Sequence, residues 1–519
     1  MHDHFPRGSG VLLHPTSLPG RLGVGNLGEP ARRFVDWLVE AGQSLWQVLP
    51  LGPTSYGDSP YQTLSAFAGN PLLIDPCPLV DAGWLATGDL SAIPAPPDGP
   101  VDFGAAIGLA TKLLDRAHAG FRAFAPAPAR AAYEEWCRRE AAWLDDWGLF
   151  TALKERNGGR PWTQWPAGEA RRDPATLEVA RAELSEDIDR HRFRQWLFHE
   201  QCRALRDYAR ARGVRLFGDI PIFVAHDSAD VWANPSLFRL AADGLPTAVA
   251  GVPPDYFSAT GQRWGNPIYD WDAMRERGWD WWIARLRASL AQVDLVRIDH
   301  FRGFAACWEI PAGEPTAVRG RWAPGPGAAF FRAVREALGA LPIVAEDLGI
   351  ITPEVEGLRE EFGLPGMKVL QFAWSDPLNP FLPHAHVPNC VVYTGTHDNN
   401  TTVGWWREEA GEPQKRFLAA YFGRSVGTIG RDPHWTLIRV GMMSPAHTFI
   451  APMQDLLGLG SEARLNTPAA ASGNWTWRLP AQALDSSLAA YLIELTRLYR
   501  RHPDQQGRGA ADVHPAPAP

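Results

Sequence analysis

Eight short runs dominated by apolar residues punctuate this chain: GVLLH (10–14), SLWQVLP (44–50), VRLFGDI (214–220), VDLVRID (293–299), PIVAED (342–347), MKVLQFAW (367–374), CVVYTGT (390–396) and HTFIAP (447–452). Each has the length of a buried strand. Between them, the spacing of apolar positions predicts helices over 133–147 and 190–212, a further helix fits 328–340, and the chain reads as helical again over 484–500, after the last run. Thr352 is placed to cap a further helix, with Pro353 at its first position and Glu354 in its first turn. Strands alternating with helices predict a parallel α/β sheet, and eight is the number that closes a (β/α)₈ barrel.

The spacing is uneven. Over 160 residues separate the second and third strands, so the expected organisation is a barrel over 1–501 with a mainly helical insertion at about 51–213. A second insertion, the Gly/Pro/aromatic stretch 243–271, reads as a long loop that shapes the substrate face. APAPAR (125–130) and the Pro-rich stretch near 93–100 read as linkers or surface loops. The polar, Pro-rich residues 502–519 read as a disordered tail. No internal repeat is evident.

Composition narrows the class of function. The chain has 519 residues, 45% of them hydrophobic and 21% charged, enough for a large core. A net charge of −8 without a basic run argues against nucleic acid as a partner. The five cysteines are scattered and form no CxxC, which argues against a disulfide framework or a zinc site. The opening MHDHFPRGSG lacks a signal-peptide pattern, and no apolar run is long enough to span a membrane, so a cytoplasmic protein is expected. The 23 tryptophans are mostly expected in the core, although flat aromatic faces also stack on sugar rings.

Two motif matches are decoys. GVGNLG (23–28) fits GxGxxG, but Pro15, Pro19 and Arg21 intervene between strand and glycines, so a loop is expected. His384 and His386 lack a third ligand with matching spacing and are expected on a surface loop.

The chemistry lies at the strand ends. Asp219, Asp299, Glu346 with Asp347, and His397 with Asp398 each stand at or just after the C-terminal end of a different strand, the end that surrounds a barrel's active site. One such carboxylate could be a solvated strand end; four strands sharing the feature point to a site. Residues two apart on a strand share a face. If Val296 and Ile298 face the outer helices, Arg297 and Asp299 face the axis, where Arg297 would hold Asp299 ionised. That pairing also fits a purely structural ion pair. Glu346, close to Asp299, suits a general acid with a raised pKa. Retaining glycosidases keep two carboxyls about 5–5.5 Å apart, a separation that adjacent strands can provide.

HPTSLPG (14–20), LPLGPTSYGDSPYQ (49–62), SAFAGNPLLID (65–75), GDIPIFV (218–224), GVPPDYFSATGQRWGNPIYDW (251–271), RIDHFRG (297–303), AEDLG (345–349), GTHDNNTTVGWW (395–406) and QDLLGLG (454–460) resemble, over about residues 10–500, the α-amylase superfamily. Within it they resemble the amylomaltase or 4-α-glucanotransferase group, glycoside hydrolase family 77. The resemblance implies a barrel with inserted subdomains, no C-terminal β domain, and transfer of α-1,4-glucan segments between sugars. It implies Asp299 as nucleophile, Glu346 as acid/base and Asp398 as transition-state stabiliser. Arg297, His397 and Asp219 would bond the cleaved sugar, and Tyr61 would stack on it. Ser59 and Asn466 would serve donor-side sugars, and Gln262, Trp264 and Asp347 the acceptor side. Tyr56 would belong to a further glucan surface, and the 251–271 segment would be a lid. No metal, cofactor or phosphate is implied. Ala259 and Asn400 stand where some relatives carry acidic residues. The barrel carboxylates alone leave an α-1,4-glucan hydrolase open, and a non-catalytic glucan-binding protein is the alternative from another class.

Overall fold

The computed structural model describes residues 5–254, 258–468, 470 and 472–505. Among the described residues, twelve strands form in chain order: β1 (Gly8–Leu12), β2 (Leu45–Gln47), β3 (Arg215–Pro221), β4 (Ala248–Val252), β5 (Gln262–Pro267), β6 (Leu295–Asp299), β7 (Ala306–Pro311), β8 (Arg321–Pro324), β9 (Ile343–Ala345), β10 (Gly366–Val369), β11 (Cys390–Tyr393) and β12 (Thr448–Pro452). Eight of them, in the order β10–β11–β12–β1–β2–β3–β6–β9, are joined by parallel ladders. Ala345 N donates to Pro365 O at 2.9 Å and brings β9 to the start of β10, so the sheet curls into a (β/α)₈ barrel. All eight expected strands are present. Several are shorter than the apolar runs: the sixth ends at Val369, where Leu370–Phe372 turn into a 3-10 helix.

Side chains alternate across the barrel wall. Leu12, Leu45, Phe217, Leu295, Val344, Met367, Val369, Val391, Tyr393 and Ile450 pack together as the interior layer, with Phe5 against them. Val296 and Ile298 belong instead to the larger core shared with the surrounding helices. That alternation turns Arg297 and Asp299 inward, as the period of two requires.

The expected helices correspond to Ala127–Arg156, Ser185–Arg210, Gly327–Leu338 and Ser486–Leu498, the last three ending two residues sooner than expected. Helix Pro353–Glu361 starts after Thr352, although the threonine hydroxyl makes no capping bond. APAPAR is a linker only in its first residues, since the helix begins at Ala127. The glycines of GVGNLG lie in the loop that ends at the N-terminus of helix Glu29–Glu40.

Residues 243–271 are not one loop. They contain β4 and β5, which pair antiparallel with each other and through β4 with β7 and β8, making a four-stranded sheet beside the barrel. Residues 255–257 of the expected lid and 506–519 of the expected 502–519 tail lie outside the described residues, while Pro503–Gln505 form a 3-10 turn. His386 is a second correction: it is buried, bonding Ser444 Oγ and Phe381 O, rather than lying on the surface. Most tryptophans are core residues; Trp46, Trp232, Trp282 and Trp374 are fully buried.

At the opposite end from the strand tips, Arg501 is fully buried. It donates to the carbonyls of Gly8 and His447, at 2.8 and 3.0 Å, and to those of Gly441, Met442, Ser444 and Ala446. One guanidinium thus grips the starts of both β1 and β12. Among the described residues, no helix is long and apolar enough to cross a membrane.

Candidate active site

The register of β3 against β6 sets Asp219 directly opposite Arg297. Arg297 donates through Nη1 to Asp219 Oδ2 at 2.5 Å and through Nη2 to Asp299 Oδ1 at 2.8 Å. Its Nε faces Met367 Sδ at 3.4 Å, below the polar layer. The Asp219 side chain is fully buried, whereas that of Asp299 keeps 31% of its surface. Between two carboxylates, Arg297 is held well above its ordinary pKa despite its burial. Burial pushes the Asp219 carboxyl up to about 6, against the pull of Arg297.

Glu346 follows β9 and faces the same space. Its Oε2 accepts from His300 N at 2.6 Å and its Oε1 from Leu348 N at 3.0 Å. His300 offers that amide because it adopts the left-handed conformation, φ 54°, one residue after Asp299. Burial, and then the charge of Asp299, push Glu346 up to about 8, so it is protonated at neutral pH. One carboxyl beside a guanidinium and another kept neutral is the division of labour that acid-assisted nucleophilic displacement requires.

Across the cavity, Tyr61 donates to Asp219 Oδ2 at 2.9 Å, and its ring stacks on His397 at 4.9 Å between centroids. His397 Nε2 lies 3.3 Å from Asp398 Oδ2, and Asn466 Nδ2 donates to Asp398 Oδ1 at 2.6 Å. Burial opposes ionisation of Asp398, but His397, Asn466 and Arg297 together hold it well below the ordinary carboxylate range. Asp219, Arg297, Asp299, Tyr61, His397, Asp398 and Asn466 therefore form one connected array, with Glu346 joined through the backbone of His300. Ser59 Oγ accepts from Tyr61 N at 3.3 Å and steers the turn that carries the ring.

The acceptor-side residues divide. Trp264 on β5 meets His300 edge-on at 4.8 Å, and its Nε1 donates to Gln262 Oε1 at 3.0 Å. Asp347 is not brought into the array. It points away from Glu346, accepts from Met367 N at 2.6 Å and lies 3.4 Å from Arg359. Tyr56 opens a short turn, Tyr56–Asp58, and its side chain lies outside the described residues.

Sequence reasoning missed four members. His300, inside RIDHFRG, acts through its backbone amide, which no side-chain pattern reveals. His14, after β1, is buried; burial and the charge of His397 push it down to about 3, so it stays neutral. Trp475 (φ 66°) brings its ring 6.0 Å from Tyr61 and 5.9 Å from His397. Arg464 donates to the Asp398 carbonyl at 2.7 Å. His14 lies within HPTSLPG and Arg464 two residues before Asn466, so two of these four sat in or beside stretches already singled out. Among the described residues, no group of three or more His, Cys, Asp or Glu side chains could hold a metal.

Comparison with known proteins finds one family. The glycoside hydrolase 77 model, described as 4-alpha-glucanotransferase, matches residues 13–484. A 4-alpha-glucanotransferase of Thermus thermophilus is 53% identical over 480 residues, covering 92% of this chain and 95% of that protein. One from Synechocystis is 48% identical over 500 residues, covering 95% and 98%. The solved structure of an amylomaltase from Streptococcus agalactiae in complex with acarbose superposes with a TM-score of 0.91 at 40% identity, covering 96% of this chain and all of that one.

Proposed function

The chain belongs to the 4-alpha-glucanotransferase family, glycoside hydrolase family 77, and from that premise we propose how its own residues carry out the transfer. Asp299 attacks the anomeric carbon of an α-1,4-linked glucose unit while Glu346 protonates the departing glycosidic oxygen. The product is a β-linked glycosyl-aspartate. Glu346, now ionised, takes the proton from the 4-hydroxyl of an incoming sugar, which displaces Asp299 and restores the α linkage. Arg297 holds and aims the Asp299 carboxylate through its 2.8 Å contact. Asp398, gripped by His397 and Asn466, bonds sugar hydroxyls more tightly as the ring flattens towards an oxocarbenium ion. Tyr61 supplies a flat face beneath that ring.

The observation that carries this reading is the contrast within the array. Two carboxylates are tied to Arg297, and a third carboxyl, Glu346, is kept protonated by burial next to Asp299. Transfer over hydrolysis requires a sugar to occupy the acceptor side in place of water. Gln262 and Trp264, on the four-stranded sheet next to His300, are suited to hold it.

Incubation with maltotriose tests the reaction: a ladder of longer oligosaccharides plus glucose is expected, whereas shorter sugars alone would mean hydrolysis. Asp299→Asn should abolish turnover and leave glucan binding intact. A slow glycosyl fluoride should label Asp299; a label elsewhere would reassign the nucleophile.

A further inference from the structure

The loop after β11 carries His397 and Asp398, and the loop after β12 carries Asn466. One guanidinium ties them together. Arg464 donates through Nη2 to the Asp398 carbonyl at 2.7 Å and through Nε to the Asn466 carbonyl at 2.8 Å. The side chains of the same two residues meet at 2.6 Å. The third nitrogen of the fork, Nη1, lies 3.2 Å from Glu409 Oε1, and that oxygen also accepts from Asn400 Nδ2 at 2.9 Å. Asn400 is buried, and its amide donates again to Ser461 Oγ at 3.0 Å.

Glu409 closes a turn of π-helix, Trp405–Glu409, that continues the short helix Thr402–Gly404. Such turns are rare and recur at functional sites. As a source of stability the Arg464–Glu409 pair counts for little, since 21% and 45% of the two side chains remain exposed. Its value is geometric. A planar guanidinium has fixed spacing between its nitrogens, so holding two carbonyls at once fixes their separation. Here those carbonyls belong to the two residues whose side chains form the Asp398–Asn466 bond.

We propose that Arg464, oriented by Glu409 and Asn400, is a positioning residue that sets how far the Asp398–Asn466 pair reaches into the sugar site. The inference rests on the role given to Asp398 above. Asn400 completes the anchor. Its amide donates to Glu409, whereas a carboxylate at 400 would meet the Glu409 oxygen with like charge and release Arg464 from one of its three anchors.

The test compares full-length Arg464→Met, Arg464→Lys, Asn400→Asp and the double variant Asn400→Asp/Glu409→Gln, with Asp398→Asn as reference, in maltotriose disproportionation. Arg464→Met and Asn400→Asp should lower kcat about tenfold or more, because small misplacements of a reacting constellation are costly. KM should change little. Arg464→Lys should recover little, since one ammonium cannot replace the fork. The double variant should regain most of kcat, because a glutamine amide at position 409 can donate to the new carboxylate. Full kcat in Arg464→Met and Asn400→Asp beside an inactive Asp398→Asn overturns the inference. So does equal loss of kcat in Asn400→Asp and the double variant. An active Asp398→Asn overturns the role of Asp398 itself, and the inference with it. Should Arg464→Met fail to fold, the comparison of Asn400→Asp with the double variant, at matched thermal midpoints, still decides.

Discussion

Arg297 shows how one residue organises a site. It lies between a fully buried carboxylate and a partly exposed one, so its removal leaves two neighbouring negative charges without their guanidinium. Arg297→Met should cost about 3–5 kcal/mol of stability, read from denaturant unfolding, because an uncompensated buried charge remains. Glu346 gives the opposite signature. Its carboxyl titrates near 8 in the folded protein, against an ordinary 4.5. Between those values the folded state holds a proton that the unfolded state has lost, so this group's stabilising contribution is complete below about 4.5 and fades as pH rises through 8. Glu346→Gln should therefore raise the thermal midpoint relative to the parent more at pH 8 than at pH 5, while abolishing transfer. The same protonation makes cleavage fail on the alkaline side, with a limb near 8 in the pH dependence of kcat/KM. Both carboxylates and their cation were legible in the sequence, because strand period and strand-end position need only local reading. The amide of His300 was not, because its value comes from a positive φ that RIDHFRG does not advertise.

Among elements, the barrel strands were legible and the small sheet was not. A strand with both faces covered must be apolar along its length, and the eight expected runs have that mark. β5, QRWGNP, is polar with exposed residues at its start, and β8 is four residues of which three are exposed. β5 and β8 are the edge strands of this sheet, hairpin partners of β4 and β7, and the pairing of β4 with β7 that joins the two hairpins spans more than 50 residues of chain, so no local pattern declares the sheet. APAPAR failed in the reverse way: a proline-rich start was read as linker where it opens a helix, although proline is well tolerated in a first turn. The sheet bears on the proposed acceptor side because β5 carries Gln262 and Trp264. A Cβ at Gly251 on β4 would come 2.1 Å from the Gln262 carbonyl, closer than any packing permits. Gly251→Ala should push β5 off its register, raising KM for a glucose acceptor and the share of hydrolysis while leaving the Asp299 array able to cleave. Counting glucose released per oligosaccharide extended would check this.

For the molecule as a whole, ring closure depends on ends that are distant in the chain. Gly8–Leu12 pairs with Thr448–Pro452, and Arg501 reaches under both from beyond the last long helix. Arg501→Met removes one cation from six backbone carbonyls, and each buried acceptor left unmet costs about 1–3 kcal/mol. A large fall in the calorimetric midpoint is expected, with the strand-tip chemistry unchanged in protein that remains folded. The latch also dictates an order of events during synthesis. Domains fold as the chain emerges, N-terminal parts first, and the helices of the insertion between β2 and β3 make local contacts that can form early. The first strand can pair with β2 early, but its other neighbour, β12, comes more than 400 residues later, and Arg501 follows later still. Until β12 is made, one edge of β1 has no neighbour, and an unpaired edge is a template for association with other chains.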